Sequence, residues 1–363
     1  MPDTSVKYFA STMSGAPALS GTAGTLIGVL DACLVDGFGS VTVNSLAVAS
    51  NVATATVSAG HQFAMVGNTG PVIRIAGASP AGLNGDWRVT VTSSTAFTFA
   101  TSGLSDQTAS GTITAKRAPA GFSKAFSGTN KAAYRADDVA STRLYLQVDD
   151  SPAQYPTLTM YETMSDVDTG TGASTTRYFA KSSAANSTAR AWALYADARL
   201  FYLFANADGS TWPSVMVFGD IVPYRSGDAY HALLIGHAAA NTTSHLHFVD
   251  GTTTGAELAR SYSQTGGKVS SSRYSHRKHQ YLGAGGMLTP NNVNNALHFW
   301  PVECWEGASW ARGAMPGLYC PLHDATLASG VVFTVGDRQF KIQQTNSSSY
   351  QGALDLTGPW RSS

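Results

Sequence analysis

The sequence predicts a mainly β protein: an antiparallel β-sandwich body, one N-terminal helix and a small inserted β-sandwich module. Three observations lead there. Short apolar runs alternate with Gly, Asn, Asp and Pro turn signals along most of the chain. The composition holds 36 glycines and only 13% charged residues, against an ordinary share of about 25%. Helical spacing of apolar residues is found in one place, near the N-terminus. At 363 residues the chain can bury a large core and is long enough for two domains.

Residues 1–40 carry the helical stripe: Leu26, Ile27, Leu30, Cys33 and Leu34. Thr22 or Thr25 is placed to cap it, and Gly37 to end it. This segment is expected to pack on the main body. Residues 41–116 change to short alternating runs: Val41–Val43, Val52–Val57, Val72–Ile75, Trp87–Val91, Phe97–Phe99 and Gly111–Thr114. Gly60-His61, Gly67-Asn68, Ser79-Pro80 and Asn84-Gly85 punctuate them, which predicts a small β-sandwich with Trp87 in its core.

Residues 117–363 form the main body, after a linker at Ala118-Pro119-Ala120-Gly121. Arg143–Val148 and Leu158–Met164 read as strands. Arg190–Gly236 is the most apolar and most regularly punctuated stretch. Trp192–Tyr195, Leu200–Phe204, Val215–Phe218 and Ala229–Ile235 predict two hairpins of a buried antiparallel sheet. Residues 237–292 are polar and loop-rich, as expected of a segment that covers a surface or meets a neighbour. Leu297–Cys304 returns to strand character, and Arg312–Tyr319 (RGAMPGLY) reads as an irregular link. Val331–Val335 and Gln339–Ile342 predict a hairpin, and the tail contains Trp360.

Lys+Arg and Asp+Glu both number 23, so the formal charge is zero and offers no general attraction to nucleic acid or an anionic membrane. So few charges suit a subunit buried in an assembly better than an isolated protein. Three cysteines, Cys33, Cys304 and Cys320, do not make a disulfide framework, and buried reduced thiols are expected. The opening MPDTSVKYFA lacks the basic and apolar regions of a signal peptide, and no apolar run reaches the ~18 residues of a membrane span. No membrane insertion is expected.

Two resemblances follow from particular residues. The segments ATATVSAGHQF and GPVIRIAGASPAGLNGDWRVTVTSSTAFTFA, within 41–116, resemble an immunoglobulin-like or related β module that recurs in virion proteins of tailed bacteriophages. That likeness implies a decorating or spacing role. The wider layout resembles tail or virion structural proteins of tailed phages. It is carried by TSVKYFASTMSGAPALSGTAGTLIGVLDACLVDGFG, YETMSDVDTGTG, KSSAANSTARAWALYADARLFYLF, FGDIVPYRSGDAYHALLIG, RGAMPGLY and DLTGPWR. It implies a structural tail or baseplate subunit and carries over no catalytic residue.

Four constellations are candidates for chemistry. Asp166 and Asp168 precede Gly170 as in a calcium loop, but no Glu follows at the twelfth position, and an Asp turn explains the pair as well. His245 and His247 on a strand would share a face, as zinc ligands do. Arg273, Tyr274, His276, Arg277 and Lys278 concentrate positive charge beside an aromatic, suited to an acidic neighbour or lipopolysaccharide. Trp300, Trp305 and Trp310, with Tyr319 and Trp360, could stack on sugar rings or anchor an interface. The G-x-S-x-G, P-loop, H-E-x-x-H and C-x-x-C patterns are missing, so neither an enzyme nor a cofactor is expected.

The expected function is a non-enzymatic virion structural protein, a tail or baseplate subunit assembled in the host cytoplasm. Its expected partners are copies of itself in a symmetric oligomer, other virion tail proteins and a host surface glycan. The alternatives are a carbohydrate-binding receptor protein on the tail and a capsid decoration protein. A polysaccharide-degrading enzyme would need two opposed carboxylates, with Glu162, Glu257, Glu303 and Glu306 as its glutamates.

Overall fold

The computed structural model describes residues 2–209, 213–240, 255–274, 298–307, 309–321, 327–345 and 347–361. The chain is mainly β, with antiparallel sheets and one short helix. A 13-stranded sheet forms the body. Its order is Lys7–Ala10, Trp192–Ala196, Leu200–Ala205, Ser214–Asp220, Ala232–Ile235, Ala256–Leu258 and Val269–Tyr274. It continues through Phe299–Glu306, Trp310–Pro321, Ser347–Asp355, Arg338–Thr345 and Val332–Val335. Val222–Pro223 leaves the first half of this path and pairs with Trp310–Pro321 in the second. The sheet therefore folds over on itself.

Side-chain alternation explains why Arg190–Gly236 reads as nearly continuous apolar sequence. Leu194, Phe201, Leu203, Met216 and Phe218 enter one core. Their neighbours Tyr195, Leu200, Tyr202, Val215 and Val217 enter another, shared with Val302, Cys304 and Leu318 from the sheet's second half and with Trp360 from the segment after its last strand. Each strand is covered on both faces, so neither parity can be polar. Each fully buried Leu, Val or Phe adds about 1.5–3 kcal/mol of transfer free energy. The first core is closed by a five-stranded sheet, Phe122–Gly128, Lys131–Ala136, Tyr145–Asp149, Thr157–Tyr161 and Arg177–Tyr178.

The expected helix is shorter than its stripe and is capped differently. Thr25–Leu30 is α-helical, and Asp31–Asp36 continues as a π-helical turn. Leu26, Leu30, Cys33 and Leu34 face the first core, as their spacing predicts. Neither Thr22 nor Thr25 caps it. The Thr25 hydroxyl donates instead to the carbonyls of Ser20 (2.9 Å) and Thr22 (2.8 Å). Asp150, from the end of a body strand, accepts the N–H groups of Leu26 (2.7 Å) and Ile27 (3.3 Å). Its other oxygen meets the buried Lys181 ammonium, which also donates to the carbonyl of Thr22 at 2.7 Å. Burial pushes the Asp150 carboxyl up and the Lys181 ammonium down, and their contact opposes both shifts.

Residues 38–117 form two sheets around a core of their own. Phe38–Thr42, Thr114–Arg117, Val72–Ala76 and Gly85–Arg88 make one sheet. Thr90–Ser93, Ala96–Ala100, Val52–Thr56, Ser45–Ala49 and Gln107–Thr108 make the other. Leu46, Ile73, Ile75, Phe97 and Phe99 fill the space between them. Trp87 stacks on Phe99 at 4.8 Å and donates to the carbonyl of Leu83 at 3.0 Å. Phe38 and Arg117, where the chain enters and leaves, are cross-strand partners. The Arg117 guanidinium lies over the rings of Phe38 and Phe63 and donates to the carbonyls of Ser14 and Gln62. Burial pushes its pKa down to about 10.

Three readings of the sequence are corrected. Arg312–Tyr319 is not an irregular link but lies within the strand Trp310–Pro321. Its glycines permit close approach: a Cβ at Gly313 would sit 2.2 Å from the carbonyl of Val222, and one at Gly317 2.2 Å from the Trp360 indole. Leu158–Met164 is two strands, since Thr163–Asp166 leaves the body to pair with Thr169–Thr171. The polar region 237–292 supplies two inner strands, Ala256–Leu258 and Val269–Tyr274. Glu257 can be buried there because its carboxylate accepts from Arg177 (2.7 Å) and from the N–H of Thr175 (2.7 Å).

Candidate binding surface

One end of the body collects aromatic and charged side chains on a rigid frame. Gly227, at φ 76°, turns the chain so that Asp228 faces inward. Arg312, fully buried, donates to the Asp228 carboxylate at 2.8 and 3.2 Å. Its remaining nitrogen donates to the carbonyl of Arg260 (2.8 Å) and to Glu306 (3.2 Å). Gln264 donates to the second Asp228 oxygen at 2.8 Å. Burial pushes Asp228 up, but Arg312 and Gln264 together outweigh it and hold the carboxyl below its ordinary value. Arg260 grips Glu162 with two hydrogen bonds and covers the Tyr230 ring at 3.9 Å. On this frame Tyr262 stacks on Trp310, with centroids 5.3 Å apart and planes within 11°. Trp310 is 55% exposed.

A second aromatic group lies on the opposite face of the strand Phe299–Glu306. Val302 and Cys304 point into the core, so Glu303 and Trp305 turn outward. The Tyr224 hydroxyl donates to one Glu303 oxygen (2.9 Å), and the Trp305 indole N–H donates to the other (3.0 Å). Burial and the adjacent carboxylate push the Tyr224 hydroxyl well above the usual tyrosine range. Tyr224 is 54% exposed. The result is a carboxylate fixed between two aromatic rings, a shape that suits stacking on a sugar or anchoring a protein partner.

The structure separates residues that the sequence grouped. Trp310 pairs with Glu306 and Trp305 with Ala311, which puts these two tryptophans on opposite faces. Trp300, 46% exposed, pairs with the buried Cys320 near the strand's start. The three do not form one platform. Arg273 is not on a basic surface loop. It lies buried opposite Cys304 and donates to the carbonyl of Ser271 at 3.3 Å. Tyr274 ends that strand. His276, Arg277 and Lys278, and likewise His245 and His247, lie outside the described residues.

Asp166 and Asp168 stand at a hairpin turn. Asp166 accepts the N–H of Asp168 at 2.8 Å, and such backbone hydrogen bonds lower its pKa. Asp168 meets Lys131 at 2.7 Å, tying the hairpin to the five-stranded sheet. Among the described residues no group of three His, Cys, Asp or Glu is placed to hold a metal ion. The three cysteines are free and buried. Burial pushes Cys304 up to about 11, so it is a poor nucleophile.

No protein-family model matches this chain, and no curated protein matches it. The site is therefore described by its own geometry. Sequence reading named Glu303 only as one of four glutamates, and missed its contact with Tyr224 and the Asp228–Arg312 pair. No local pattern marks these two contacts, because their partners lie 79 and 84 residues apart in the chain.

Proposed function

We propose that this chain is a non-enzymatic virion structural protein of a tailed phage, a tail or baseplate subunit that acts through assembly contacts. One observation carries the reading: the buried ionic groups are engaged in joining distant segments of a rigid platform. Asp150 with Lys181 fixes the helix, Arg177 with Glu257 joins two sheets, and Arg312 with Asp228 locks the end of the body. Asp220 likewise accepts from the N–H and hydroxyl of Thr142. The neutral, charge-poor composition and the resemblance to tail proteins support the same reading. Mass measurement of the purified protein, and imaging of particles, should find a closed symmetric oligomer. A monomer in both settings would overturn the proposal.

A second reading, carbohydrate recognition on the same particle, is favoured by the Tyr224–Glu303–Trp305 group. Trp305→Ala should lower adsorption to host cells roughly tenfold or more while assembly proceeds, since one lost stacking face is worth about 1–3 kcal/mol. Unchanged adsorption would remove this reading.

A further inference from the structure

We propose that two copies of this chain pair edge to edge along the strand Val332–Val335, antiparallel and centred on Phe333. The proposal rests on the assembly reading above and names one of its contacts. Among the described residues the body sheet ends at this strand, which pairs there only with Arg338–Thr345. It belongs to an uncharged run, Val331-Val332-Phe333-Thr334-Val335, with Val331 42% and Val335 56% exposed. Unprotected apolar edges of this kind recruit another strand.

Several other described edges are managed differently. The flank of Lys7–Ala10 is approached by Arg88, which donates to the carbonyl of Val6 at 2.9 Å. Phe122–Gly128 carries Lys124 and a bulge. Gly85–Arg88 carries Asp86, held by Arg74 at 2.6 Å. Gln107–Thr108 and Arg177–Tyr178 are two residues long.

Hydrogen-bond parity selects the register. Val335 pairs with Arg338 across the two-residue turn Gly336-Asp337, and the N–H of Ile342 donates to the carbonyl of Val331 at 2.9 Å. Phe333 and Val335 therefore turn their backbone polar groups toward the hairpin partner, as Val331 does its carbonyl while its N–H donates to the carbonyl of Ala328 (3.2 Å), and Val332 and Thr334 turn theirs to the free edge. In an antiparallel pair centred on Phe333, Val332 of one copy faces Thr334 of the other. Every outward N–H and C=O of these residues then finds a partner. The same register sets exposed Val331 opposite exposed Val335, and Gly330 opposite Gly336. It opposes no like charges.

Cross-linking in full-length protein tests the register. Val331 and the second copy's Val335 would be a non-hydrogen-bonded pair with Cα atoms about 4.5 Å apart. Two copies of Val331 would lie roughly 14 Å apart. Mild oxidation of a mixture of Val331→Cys and Val335→Cys proteins should yield a covalent dimer, and either protein alone should not. Circular dichroism confirms that both variants fold. Val335→Lys should raise the dimer dissociation constant roughly tenfold, and adding Val331→Glu should restore pairing. An oligomer that gives no mixed cross-link, or equal cross-linking in the single proteins, overturns the edge pairing and leaves the assembly reading standing. A monomer throughout overturns both.

Discussion

The inserted module and the Trp192–Ile235 strands are both antiparallel, yet they bury their residues differently. In Val52–Thr56 of the module, Ala53 and Ala55 are buried while Val52, Thr54 and Thr56 are exposed. In Leu200–Ala205 and Ser214–Asp220 of the body, every residue is buried. The module strand has one core and one wet face. The body strand lies between two cores, closed by different parts of the chain. The module can therefore lose its neighbours and keep its own core. The body strands depend on the helix, on the five-stranded sheet and on the chain's C-terminal third together.

The largest expected effect breaks the body at the point where those parts meet. Asp150→Ala removes the helix cap and leaves the buried Lys181 ammonium facing no carboxylate. Breaking a buried pair on one side costs about 3–5 kcal/mol. The unfolding free energy of the body, read from its denaturant midpoint and slope, should fall by that amount, and hydrogen exchange in Ser45–Ala100 should stay protected. A loss below about 1 kcal/mol would show that the two cores do not rely on this junction.

The next effect tests the seam. Arg88, in the module, donates to the carbonyls of Asp3 (2.6 Å), Gly70 (2.9 Å), Val6 (2.9 Å) and Thr357 (3.3 Å). Gln339, in the body, accepts from the N–H of Asn68 and the hydroxyl of Thr69, each at 2.8 Å. The module is fastened as well as inserted, so it is not a freely swinging spacer. Arg88→Ala should cost about 2 kcal/mol, because several charge-assisted hydrogen bonds vanish and buried carbonyls lose their donor. Calorimetry should then resolve two transitions in place of one. A single transition at unchanged temperature would mean that the module and body were never coupled here.

The same contrast explains what could be read in the sequence. Alternation marked Val52–Val57 and Phe97–Phe99 because one parity meets water. Continuous apolar runs marked Leu200–Phe204 because neither does. The stripe from Leu26 to Leu34 located the helix, but its cap comes from Asp150, 124 residues away from Leu26. No spacing rule reaches that far. Arg312–Tyr319 looked irregular because Gly313, Pro316 and Gly317 answer to close contacts with Val222, Tyr202 and Trp360. Arg273 looked like a surface cation because its neighbours in sequence are polar, while its neighbours in space are core residues. The tryptophans looked like one group because sequence proximity hides the face on which a strand presents each side chain.

The smallest effect asks whether surface charge adds to the body's burial. Asp138 accepts the N–H of Ala140 at 2.9 Å and meets Arg199 at 2.6 Å, joining the 137–142 turn to the Leu200–Ala205 hairpin. Partial burial pushes its carboxyl up, but the Ala140 N–H and Arg199 outweigh that and hold the pKa below its ordinary value. A depressed folded-state value contributes stability above the unfolded pKa of about 3.9, and that stability is lost as pH falls through the folded value. Both side chains are more than a quarter exposed, so solvent limits the contribution to about 0.5 kcal/mol. Melting temperatures of wild type and Asp138→Asn should differ by a small constant amount above about pH 5 and converge below about pH 3. A gap that widened on acidification would reverse the sign and show that Asp138 is easier to protonate in the folded chain.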